Sequence, residues 1–182
     1  MRRAQNYVPL ALGAILPVLA ILAEHLAPSN PDEFKPDEIK AAFLGKIPSY
    51  VQWPAKMNGK ADDKIVLGLF GDNALKDLLE QLTKEAKERP IEVRKVDRPA
   101  EINQCHILYV PLANNAKWLA LRKEVDLRGL LTVGESDNFL EQGGVLVFRL
   151  NETRRFWVNV KNKDKAGLEI KSQFYRIIKP VK

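Results

Sequence analysis

The chain has 182 residues, 46% of them hydrophobic, with 29 Lys+Arg against 23 Asp+Glu for a formal net charge of +6, and it holds one cysteine and two histidines. This balance excludes a disordered or collagen-like chain and suits one domain with a tail. No run of five or six basic residues occurs, so nucleic acid is not an expected partner; one cysteine cannot close an intramolecular disulfide, and the two histidines have no other ligands at metal-site spacing.

The amino-terminal stretch differs from the rest of the chain. Arg2 and Arg3 precede an uncharged apolar run over residues 8–23, and Pro28-Ser-Asn-Pro31 comes after it. A basic start, a short apolar run and a small residue at its end describe a secretory signal peptide. The run is short for a spanning helix and is interrupted by Pro9, Gly13 and Pro17. The expected organisation is a signal peptide over 1–23 (an uncleaved anchor is the alternative), a linker over 24–34 and an α/β domain over 35–182. Either reading places the domain outside the cytoplasm. Cleavage after Ala23 removes Arg2 and Arg3 and lowers the net charge from +6 to +4.

Residues 37–48 read as an amphipathic helix, with Ile39, Phe43 and Ile47 on one face beside Ala42 and with Pro48 as the terminator. Trp53-Pro54 should pin the chain to the domain, and residues 55–63 read as a surface loop. Residues 64–70 form a nearly continuous apolar strand, the pattern of a sheet centre covered on both sides. A helix over 74–87 comes next, with Asp72 or Asn73 as its cap. Residues 90–96 alternate like a more exposed strand, 101–104 are a polar lead-in, and 105–110 form a third, buried strand. A helix over 116–125 precedes an apolar strand at 129–133 and a short helical segment at 138–141. Gly143-Gly144 then opens a strand over 145–150, and the turn at 151–153 returns it as an alternating strand over 154–160, a hairpin. A charged segment over 161–165 leads to 166–170, and Phe174, Ile177 and Ile178 supply a closing helix or turn. The order implies a three-layer α/β domain: a mostly parallel sheet flanked by helices, with an antiparallel hairpin on the carboxyl-terminal side.

Candidate chemistry is sparse. Gly68-Leu-Phe-Gly71 sits at a strand-to-helix turn, but it lacks the three spaced glycines of a dinucleotide loop, and Asp72 places negative charge where a phosphate would sit. Cys105 and His106 are neighbours on a strand and point to opposite faces, so they cannot pair as thiolate and imidazolium; Cys105 reads as buried and apolar, His106 as a polar group satisfied near the strand start. Ser136-Asp137 lacks the Gly-x-Ser-x-Gly context of a hydrolase and reads as a cap. Gly143-Gly144 is explained by turn geometry. Trp53, Trp118 and Trp157 suit packing or a half-buried interface. No cofactor is expected. A crevice at the carboxyl ends of the strands, near Gly71, Asp72, Pro111 and Ser136, is the candidate position for a small ligand.

Several segments in order resemble one family. Ile39-Lys-Ala-Ala-Phe-Leu44, Tyr50-Val-Gln-Trp-Pro54, Cys105-His-Ile-Leu-Tyr-Val110, Leu130-Leu-Thr-Val133, Phe139 with Gly143-Gly144, Phe156-Trp-Val-Asn159 and Ala166-Gly-Leu168 look like the YfiR family over residues 35–178. The resemblance implies an exported periplasmic α/β domain of Gram-negative bacteria without recognised catalytic residues. The best-understood member represses an inner-membrane diguanylate cyclase by binding its periplasmic sensory part, which lowers cyclic-di-GMP signalling and biofilm formation. The implied partner is thus a membrane sensor protein, with no nucleic acid, no membrane insertion after signal cleavage, and room for a homodimer. The chain departs from relatives that carry cysteine pairs, since Cys105 is alone, and its Ser172-Gln-Phe-Tyr-Arg-Ile-Ile178 segment is bulkier than their Ser-x-Leu-Leu-x-Leu pattern. Two rival readings are a periplasmic small-molecule-binding protein and a hydrolase built on His106 and Ser136.

Overall fold

The structure is a computed structural model that describes residues 35–54, 64–71, 74–84, 89–149 and 156–181. All of these lie in the unit Lys35–Lys182. The signal-peptide and linker segments, the Asp72-Asn73 cap and the hairpin turn at 151–153 lie outside the described residues.

The chain begins with α1 (Pro36–Lys46), a 3-10 turn (Ile47–Tyr50) and the short strand β1 (Val51–Gln52). Strand β2 (Ile65–Phe70) is buried at every position, as its unbroken apolar sequence requires. Helix α2 (Lys76–Thr83), strand β3 (Ile91–Val96), the single-turn helix α3 (Pro99–Ile102) and strand β4 (Ile107–Val110) follow. A 3-10 turn (Leu112–Asn114) leads to α4 (Asn115–Leu121), and then come β5 (Leu131–Gly134), β6 (Leu146–Phe148) and β7 (Phe156–Asn159). The chain closes with α5 (Val160–Lys165), β8 (Glu169–Ile170), a 3-10 turn (Ser172–Arg176) and β9 (Ile178–Val181).

Among the described residues, seven strands form one sheet in the order β3-β2-β4-β5-β6-β7-β9, while β1 pairs separately with β8. The strands from β3 to β6 are parallel, β7 runs antiparallel to β6, and β9 runs parallel to β7. This is the expected mostly parallel α/β sheet with its antiparallel hairpin. Side chains alternate across the pleat, so Leu67, Leu69, Tyr109 and Val133 enter one core with Leu44, Ile47 and Leu79. Val66, Phe70, Leu108 and Val147 enter the other with Ile102, Trp118 and Phe139. Each fully buried Leu or Ile contributes about 1.5–3 kcal/mol relative to exposure. Charge blunts the β3 edge, where Glu92 pairs with Lys64 at 2.6 Å and with Arg94.

Local details differ from the sequence reading for identifiable reasons. The buried face of α1 is Ala41 and Leu44, continued by Ile47 in the 3-10 turn, whereas Ala42 is exposed. Phe43 packs against the same core, as expected, in a ring stack with Phe156 and Phe174 at centroid distances of 3.4 and 5.8 Å. The 138–141 segment is a turn rather than a helix. Strand β7 stops at Asn159 because the Asn159 side chain accepts the Asn162 N–H at 2.9 Å, which caps α5 where the sequence shows only a charged segment. Phe174 lies in a closing 3-10 turn, as expected, whereas Ile178 opens an edge strand, completing the first core while β9 pairs with β7.

Candidate functional site

The carboxyl ends of β2, β4 and β5 lie side by side, which is the expected position of a ligand crevice in an open parallel sheet. Gly71 comes directly after β2 with φ +70°, a conformation that favours glycine, and its N–H donates to the Val96 carbonyl at 3.0 Å. Asn114 closes over it: the Asn114 Nδ2 donates to the Phe70 carbonyl at 2.8 Å, and a Cβ on Gly71 would lie 2.7 Å from that nitrogen. Pro111 ends β4 and starts the 3-10 turn that carries Asn114. Ser136 stands two residues past β5, where its carbonyl accepts the Phe139 N–H at 3.0 Å. The fold thus gathers Gly71, Pro111 and Ser136 at one end of the sheet, with Asn114 occupying the ground above Gly71.

The best-built group at this edge was not among the residues singled out by sequence. Glu135, directly after β5, accepts the Tyr109 hydroxyl at Oε1 (2.8 Å) and the Leu112 N–H at Oε2 (3.0 Å). Lys40 reaches the same Oε1 from α1 at 2.6 Å and also lies 3.4 Å from Asp37. Only 15% of the Glu135 side chain and 16% of that of Lys40 are exposed. Burial works to raise the Glu135 pKa, but the hydrogen bonds from Lys40, Leu112 and Tyr109, with the Lys40 charge, hold it below its ordinary value of 4.5. Burial likewise works to lower the Lys40 pKa, and Glu135 more than offsets it, so that ammonium is held above its ordinary value. A carboxylate engaged by three donors from α1, β4 and the turn after β4 acts as a tie between elements rather than as a poised base. The sequence signal was slight: one lysine between the apolar Ile39 and Phe43, one tyrosine inside an apolar strand, and one glutamate at a strand end.

The hydrolase candidates are separated. His106 precedes β4, whereas Ser136 lies past the end of the parallel strand β5, and the register Ile107↔Leu131 puts about 15–20 Å of strand between them. His106 is fully buried, its Nδ1 accepting the Val66 N–H at 3.0 Å, so the imidazole supplies a rung that the strand backbone leaves open. Trp53 sits on the same side, edge-on to the imidazole at 5.8 Å, with Nε1 donating to the His106 carbonyl at 3.3 Å. Cys105 lies in the opposite core and is fully buried, which withdraws it from an intermolecular bridge. Trp118 and Trp157 are also core residues. Among the described residues no cluster of three His, Cys, Asp or Glu side chains could hold a metal ion, and no helix is long and apolar enough to cross a membrane.

Comparison with solved structures finds a crystal structure of a conserved domain protein from Vibrio cholerae O1 biovar El Tor strain N16961, at 10% identity and a TM-score of 0.50. The match covers 82% of this chain and 61% of the other, so the chain spans less than two thirds of that protein, and the likeness bears on the fold alone. Comparison with curated proteins gives no match. A family model described as YfiR/HmsC-like matches residues 37–177, from the start of α1 to the residue before β9, and so takes in nearly all of both cores and the Lys40–Glu135 tie. On that match the chain belongs to the YfiR/HmsC-like family.

Proposed function

We propose that this protein is an exported, non-enzymatic regulator that acts in the periplasm by binding the periplasmic part of an inner-membrane sensor protein. The observation that carries the reading is the family match, which spans nearly the whole domain and supports a periplasmic regulatory role in general terms. The partner class we assign is a diguanylate cyclase, whose repression would lower cyclic-di-GMP and restrain biofilm formation. The saturated Glu135 tie agrees with a binding role, because its donors are spent in holding α1 and the β4 turn to the sheet. Deletion should raise cyclic-di-GMP, and capture from envelope extracts should recover a membrane sensor; unchanged cyclic-di-GMP with no sensor recovered would overturn the cyclase assignment.

A second reading, a small ligand at the carboxyl edge, is favoured by the adjacency of Gly71 and Pro111 at the ends of neighbouring parallel strands. A ligand that favours the native state raises the melting midpoint, so a thermal-shift screen against envelope metabolites separates the two readings.

A further inference from the structure

Among the described residues the sheet ends at β3, which has a neighbouring strand on one side only. The Ile65 N–H donates to the Pro90 carbonyl at 2.8 Å and the Gly71 N–H to the Val96 carbonyl at 3.0 Å. With Ile65↔Ile91 through Phe70↔Val96 in parallel register, Glu92, Arg94 and Val96 therefore turn their backbone groups toward β2. Ile91, Val93 and Lys95 turn theirs outward, an open ladder at the sheet edge. Glu92 and Arg94 flank Val93, pair with each other on one face of the strand, and keep 34% and 38% of their side chains exposed.

From this register we infer that β3 docks on β3 of a second copy of this chain, antiparallel about a two-fold axis through Val93, so that two sheets join edge to edge. A two-fold interface uses the same patch on both copies, so the patch must complement itself. In an antiparallel ladder outward-facing residues oppose outward-facing residues, and each such pair exchanges two hydrogen bonds. An axis at Val93 meets that condition at three pairs: Val93 opposite Val93, Ile91 opposite Lys95, and Lys95 opposite Ile91. Because the axis exchanges the two sides of Val93, it also sets the Glu92 of each copy directly opposite the Arg94 of the other. An axis at Glu92 or at Arg94 matches outward residues too, but it opposes two like charges, which is destabilising. The charges that deter an unrelated strand thus fit this chain's own edge in one register. The other edge strand, β9, carries Lys179 and Pro180 and no acid, so a two-fold pairing there lacks both the opposed charges and a full set of donors. The inference is independent of the sensor partner proposed above.

Sedimentation of the protein purified from the envelope, over a range of concentrations, should show a monomer–dimer equilibrium. Glu92→Arg or Arg94→Glu alone opposes like charges at both cross-strand pairs and should weaken dimerisation by about 30-fold. The double variant Glu92→Arg, Arg94→Glu restores opposite charges in the same register and should return to within about threefold of wild type. A mixture of the two single-variant proteins should form the heterodimer in preference to either homodimer. Amide exchange of the wild type reads the interface without any substitution and keeps the test informative if a variant folds poorly. Protection at Ile91, Val93 and Lys95 should rise with protein concentration, while that at Glu92, Arg94 and Val96, already bonded to β2, should stay constant. A monomer up to about millimolar concentration, a dimer whose Ile91, Val93 and Lys95 amides gain no protection, or a folded double variant that does not recover the loss seen in the folded single variants would overturn the inference.

Discussion

Lys40 on the first helix and Glu135 at the end of β5 meet at 2.6 Å, and the same carboxylate holds the Tyr109 hydroxyl and the Leu112 N–H. Removing the charge leaves a largely buried ammonium without its principal partner. Glu135→Gln should cost about 1–3 kcal/mol at neutral pH. Because the folded Glu135 pKa is depressed, its contribution is full above the ordinary value of 4.5 and is lost as pH falls through the lower folded value. Urea midpoints of wild type and Glu135→Gln should therefore converge below about pH 4.5; a constant gap down to pH 3 would contradict the tie.

His106 completes the sheet where β4 begins. His106→Ala leaves the buried Val66 N–H without its acceptor and should cost about 1–3 kcal/mol. Asn can place Oδ1 near the position of Nδ1, so His106→Asn should recover part of the loss. Hydrogen exchange at the Val66 amide reports the same bond, and unchanged protection in the alanine variant would show that the imidazole is not its acceptor.

Phe139 is clasped by two glycines. A Cβ at Gly134 or Gly144 would enter the space of the Phe139 ring, and at Gly144 it would also lie 2.7 Å from the Phe139 carbonyl oxygen. Gly144→Ala should destabilise by about 1–3 kcal/mol through overpacking. The backbone contact means that Phe139→Leu in the same chain should relieve only part of that cost, as thermal midpoints of the single and double variants would show.

The proposed export would leave a measurable mark. Cleavage after Ala23 yields a chain that begins at Glu24 with net charge +4, whereas an uncleaved anchor keeps Arg2, Arg3 and +6. Intact-mass measurement of the envelope-extracted chain distinguishes the two, and the expected species is the shorter one.

What the amino-acid order determined by itself was the class of fold and most of its strands. The unbroken apolar run over 65–70 could belong only to a strand covered on both faces, and β2 is buried at all six positions. The opposite-face argument for Cys105 and His106 also came from strand periodicity alone, and the two side chains enter opposite sides of the sheet. Periodicity reports which way a side chain points, not what it meets. Lys40, Tyr109 and Glu135 come from three segments whose local patterns are ordinary, so their convergence is decided by how α1 lies across the carboxyl end of β4 and β5. The identity of β9 as an edge strand was hidden for a related reason: four residues with an internal proline have little strand signal until β7 offers a ladder. Charge shows both halves of the lesson. The excess of lysine and arginine after residue 144 is plain in the sequence, but only the tertiary structure joins Lys40 to Glu135, Lys64 to Glu92 and Lys117 to Asp97, because ion pairs form between neighbours in space rather than along the chain.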